Sequence, residues 1–266
     1  MTKTLKFWTG LGIAAVSGAM IAEAATLDAA TTPLPTAKGK LLLMADASGE
    51  AGESGQAKSD DRVDYLTDLA MVEGHMLVGV ELYKLGEVEA AKPHMKHPAD
   101  ELYKELEGHF AELKVAGFAA ELEAVGKAVG QGAAIADVEA LAAKLHEAIA
   151  ASRGGELSSA ETARTVVSLL RHAADDYVEG VKDGKVIEAP EYQDAWGFVQ
   201  IASRLMAALP ADEREEHAGP IGEIEAELAK LAAAFPDLAG KAAIAADPTL
   251  LPAAAARIEL AALAIK

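Results

Sequence analysis

From residue 60 to residue 265 apolar residues recur at helical spacing, and the series breaks only where Gly or Pro intervenes. Tyr65, Leu69, Val72, Met76, Val80 and Tyr83 share one helix face, which starts behind the capping residues Ser59-Asp60-Asp61 and ends at Gly86. Further helices are predicted over 98–115, 118–129, 135–152, 158–182 and 190–209, followed by Ala-rich helix from Pro220 to Ile265. Between the first two, Pro93 and Pro98 bracket His94-Met95-Lys96-His97 as a turn after a short helical piece. Aromatic residues make up only 5% of the chain, too few for a sheet sandwich. The expected fold is therefore all-α, a helical bundle of two helical-hairpin modules over 60–152 and 157–266. His75 precedes Gly86 by 11 residues and His172 precedes Gly184 by 12, a spacing that suggests a distant duplication of one module.

The N-terminus has the form of an export signal. Lys3 and Lys6 precede an apolar stretch from Phe7 to Ile21, and Ala22-Glu23-Ala24 offers the small residues a signal peptidase reads, so cleavage is expected after Ala24. An uncleaved anchor is the alternative, although the stretch is short and Gly-rich for a membrane span. Residues 25–59 read as a flexible leader rich in Ala, Thr, Pro, Gly, Ser and Glu. The mature protein is then expected to be periplasmic, with no stable membrane insertion.

Charge and cysteine content narrow the chemistry. Twenty-four basic against 42 acidic side chains give a net charge of -18, which repels phosphate backbones and argues against nucleic-acid binding. With no Cys there are no disulfides, thiolate metal sites or cysteine nucleophiles. A site must be built from His, carboxylate, Met or backbone. No phosphate-binding Gly loop, nucleophile elbow, His-Glu-x-x-His or Glu-x-x-His pair occurs, so a catalytic role is not expected.

Four of the seven His lie within 35 residues. His97, Glu101, Glu105 and His109 step by four and share a face if a helix begins at Pro98, and His75 could supply the facing ligand. Gly74 and Gly79 remove side chains beside it and would let a second helix approach. His75, His94 and His97, with Glu101 in support, are the leading metal-ligand candidates. Imidazole with Glu73, Glu101 or Glu105 suits iron, zinc or manganese, whereas imidazole with Met95 would suit copper; Met76 points about 100° from His75 and belongs to the core. A second cluster, His172, Asp175, Asp176 and Glu179, forms a stripe that an antiparallel turn at Asp183-Gly184 would bring opposite Glu191 and Asp194. His172 and Asp176 are its candidates.

The run His172-Ala-Ala-Asp-Asp-Tyr177-Val-Glu-Gly180-Val-Lys-Asp-Gly184-Lys-Val186, followed by Glu191-Tyr192-Gln-Asp194 and Phe198, resembles the periplasmic helical domain that accompanies bacterial high-affinity iron permeases. The resemblance covers about 30 residues, Arg171 to Phe198. It implies a two-helix unit exposed to the periplasm and linked to metal uptake, most often of iron, with a membrane metal transporter as partner. The permease's own membrane helices and carboxylate motifs are missing from this sequence, so translocation is not expected of it. Glu-Gly-His-Met and Pro-His-Met-Lys-His-Pro in the first module look like motifs of small uncharacterised exported proteins, which imply no activity. The expected function is binding of a transition metal, iron before copper or zinc, as an accessory to uptake or storage. The alternative is a helical protein-interaction module with incidental His residues.

Overall fold

The computed structural model describes residues 56–266 apart from Ala246, with side chains from Asp61 onward. The signal and most of the leader expected at the N-terminus lie outside the described residues. Ten α-helices account for nearly all the regular structure described, in agreement with an all-α bundle.

Helix α1 (Gln56–Lys84) is the central helix among the described residues. It buries Tyr65, Leu69, Val72, Val78 and Leu82 on several faces, the pattern of a helix surrounded by neighbours. Helices α2 (Val88–His97), α5 (Ile135–Ser152), α6 (Ser159–Gly180) and α7 (Ala189–Ala207) pack against it. Helix α5 runs antiparallel to α1, since Tyr65 Oη donates to the Ser152 carbonyl at one end and Tyr83 Oη donates to the Ala133 carbonyl at the other. Between α2 and α5 come a π-helical turn over Pro98–Leu102, α3 (Tyr103–Leu113) and α4 (Ala119–Gly130).

The second half begins at a capping box. Ser158 Oγ accepts from the Glu161 N–H while the Glu161 carboxylate accepts from the Ser158 N–H, which fixes the first turn of α6. Helix α6 leads through a two-stranded hairpin, β1 (Val181–Lys182) and β2 (Lys185–Val186), into α7. Asp183 and Gly184 both have positive φ, as a two-residue hairpin turn requires, and the antiparallel reversal expected at this dipeptide is present. Then follow α8 (Ala211–Glu216), α9 (Ala218–Lys230) and α10 (Leu250–Ala262), with α10 lying on α6 and α9.

Apolar side chains gather in two clusters. One is built from Tyr65 to Ile149, the other from Ala163 to Ile265, and Ala70 of α1 joins the second. Helix α1 crosses α7 where Gly74 meets Gly197. A Cβ on Gly197 would lie 2.7 Å from the Gly74 carbonyl oxygen, and one on Gly74 would lie 2.6 Å from the Phe198 ring. Close approach at this crossing needs two residues without side chains.

The turn expected between Pro93 and Pro98 is corrected. Pro93 does not break the chain: residues 88–97 form one helix through it, and His94 to His97 are helical rather than a turn. Burial of Ala91, His94 and Met95 along one face offsets the backbone hydrogen bond that Pro93 forgoes. The approach expected beside His75 is made with two different partners, α7 at Gly74 and α2 at Gly79, where Met95 packs.

Candidate metal centre

The crossing of α1 and α7 sets the site, because His75 follows Gly74 and Asp194 lies one turn before Gly197. His75 is 3% and His94 2% exposed, and the Nδ1 atoms of both rings reach the same Asp194 oxygen, Oδ1, at 2.7 and 2.8 Å. A carboxylate oxygen only accepts, so each Nδ1 carries the proton. His94 Nε2 meets Gln193 Oε1 at 2.9 Å. His75 Nε2 is buried and has no hydrogen-bond partner. With its Nδ1 protonated, a neutral His75 keeps a lone pair on that Nε2, and a buried lone pair without a partner is costly.

One ligand atom from each of His75, His94 and Asp194 can be chosen so that all lie within 4.8 Å of one another, close enough to hold a metal ion. These residues border a cavity of about 260 Å³ together with Met71, His97, Asp176, Glu191 and Phe198. The Phe198 ring stands edge-on to His75 at 5.1 Å and the His97 ring at 4.9 Å, which limits how the imidazole can turn.

The electrostatics describe a shortage of positive charge. Burial works against ionised Asp194, yet hydrogen bonds from His75 and His94 prevail and hold it at about 2. Burial also opposes protonation of His94, but its hydrogen bond to Asp194 and the charge there leave it above the ordinary imidazole value. Asp176 is pushed up to about 8, first by burial and then by repulsion from Asp194 and Glu191. Glu191 is raised for the same two reasons, burial and then Asp194. Carboxylates crowded until they resist ionisation favour an added cation.

The sequence candidates divide accordingly. His75, His94, His97 and Asp176 border the one cavity, so His residues of the first half and carboxylates of the second meet in a single place. His97 Nε2 also lies 2.9 Å from Glu101 Oε2, and Glu101 is exposed on the surface. The stripe from His97 to His109 does not form one site: the π-helical turn over Pro98–Leu102 shifts the register, and His109 lies against the Tyr65 ring. His172 is exposed on α6, one turn from Asp176 and outside the cavity. Met95 packs on Gly79 and not among the imidazoles, whereas Met71 reaches the cavity. Asp194 is the residue that sequence spacing underrated. Its signal was Gly197 one turn later, which marks where α7 can touch α1.

Residues 155–264 match the family model of the iron permease-associated 4-helix bundle domain. The match takes in α6, α7, α9 and α10, four helices sharing the second apolar cluster, and bears out the resemblance read from His172 to Phe198. It supplies Asp176, Glu191 and Asp194 to the cavity, while His75, His94 and His97 come from outside the matched residues. No curated protein and no solved structure matches the chain. Among the described residues no helix is long and apolar enough to cross a membrane.

Proposed function

We propose that this is an exported, periplasmic protein that binds one transition metal ion, iron by preference, between α1, α2 and α7, and serves as an accessory to iron uptake. The observation that carries the reading is the unpartnered, buried Nε2 of His75 beside a carboxylate that already orients two imidazoles. Asp194 behind the Nδ1 of a ligating His would be the second-layer carboxylate that fixes ring orientation and raises ligand basicity. His75 Nε2 would be the first donor, with His97, Asp176 and Glu191 near enough to complete a nitrogen and oxygen set, while His94, engaged at both ring nitrogens, would brace Asp194. Such a set suits iron, with zinc and copper as competitors, and the iron permease-associated bundle favours iron among them. Lys3 and Lys6 ahead of the apolar stretch from Phe7 to Ile21 support export, and a membrane metal transporter is the partner the family points to.

The test is elemental mass spectrometry of the full chain, made without a His tag and given ferrous iron under anaerobic conditions. One iron per chain is expected, and its loss when His75 and His94 are both replaced by Ala. Failure of the wild type to retain iron, copper or zinc above background would remove the metal reading.

A further inference from the structure

On the opposite side of α1 from the His75 cavity, α1 and α5 enclose a groove of about 290 Å³ that the metal reading does not use. Its walls are apolar, built from Met76, Leu77, Val80, Leu145 and Ile149. Because the helices are antiparallel, Glu73 and His146 stand at one end and Glu81 and Glu139 at the other. Every acid here is already paired. Glu73 accepts from His146 Nδ1 at 2.5 Å and lies 3.3 Å from Arg153 Nη2, and Lys84 bridges Glu81 and Glu139 at 3.0 and 3.3 Å. Arg204 of α7, which borders the groove at the His146 end, has no carboxylate within 4.0 Å among the described residues. An apolar slot with one uncommitted guanidinium at its end is the arrangement that recognises an anion on an apolar body.

We propose that this groove is a second ligand site, which takes a small amphiphilic anion with its head on Arg204 and its apolar body along Leu77, Val80 and Leu145. The volume sets a small ligand, near the lower end of the ~300–1,000 Å³ usual for organic-molecule sites. A cationic amphiphile finds no free carboxylate there. The site is independent of the metal centre, since neither His75 nor Asp194 borders it.

The probe is 1-anilinonaphthalene-8-sulfonate, titrated by fluorescence into the full chain. The expected result is one saturable site, emptied by decanoate and untouched by decyltrimethylammonium. Arg204→Glu should weaken the dye by about tenfold or more, while Arg204→Lys keeps most of the affinity. Ala143→Leu, at an exposed groove position, should weaken it by filling the slot without altering the unfolding temperature or iron retention. Equal dye affinity in wild type, Arg204→Glu and Ala143→Leu would overturn the proposal. So would displacement by the cationic detergent, or loss of the signal on replacing the exposed Leu260 of α10 and Leu263 just after it with Ser.

Discussion

The two flanks of α1 each join an imidazole to a carboxylate, with opposite outcomes. At His75 one largely buried carboxylate serves two buried imidazoles, and further carboxylates crowd in, with no Lys or Arg among the described residues that line the cavity. At Glu73, two residues earlier, a buried carboxylate is answered by His146, whose side chain is 57% exposed, and by Arg153, with Arg204 still uncommitted nearby. One flank lacks positive charge around buried imidazoles, and the other has it to spare around an exposed one. The same pair of residue types therefore favours a cation in the proposed metal centre and an anion in the proposed groove, according to burial and neighbours.

That contrast predicts unequal costs. Asp194→Ala strands two buried imidazoles and should destabilise the protein by about 3–5 kcal/mol, whereas Glu73→Ala leaves partners that water can reach and should cost about 1 kcal/mol. Urea denaturation of both variants measures the gap, and equal losses would dissolve the distinction. Next in size is Gly197→Ala, whose Cβ cannot fit against the Gly74 carbonyl. It should cost about 1–3 kcal/mol and lower iron affinity by moving Asp194 away from His75. A normal unfolding temperature with normal iron retention would show that the close crossing does not set the site.

The pH dependence sharpens the cation-poor flank. Asp176 titrates near 8 in the folded chain and near the ordinary carboxylate value when unfolded. A raised acid is protonated in both states at low pH, and its ionised form burdens only the folded state, so stability falls as pH rises from about 4 through 8. Asp176→Asn should then raise the unfolding temperature of the metal-free protein at pH 8.5 and leave it nearly unchanged at pH 4, while weakening iron binding. A variant that lowers the unfolding temperature at pH 8.5 would contradict the crowding. The smallest effect is expected at the half-exposed His97–Glu101 pair, where Glu101→Ala should cost under about 1 kcal/mol and leave iron retention intact.

Much of this was legible in the sequence because helical periodicity and Gly–Pro punctuation are local. The helix opening at Ser158, the Asp183-Gly184 reversal and helix 135–152 all follow from neighbouring residues. His75 and His94 could be nominated by residue type, and His75 also by the glycines beside it. What joins them was not legible, since Asp194 is 119 positions from His75 and reaches it only through the packing of α1 on α7. Pro93 misled for the converse reason: a local rule for breaking helices yielded to burial of Ala91, His94 and Met95. The expected stripe from His97 to His109 assumed an unbroken α-helix, and a π-helical turn at its start was enough to disperse it.

The most direct test of the central claim is diffraction from iron-loaded crystals at wavelengths on either side of the iron absorption edge. One anomalous peak about 2.0–2.2 Å from His75 Nε2, inside the cavity shared with His94 and Asp194, is the predicted result. Absence of a peak there, or a peak only at the exposed His97–Glu101 pair, would contradict it.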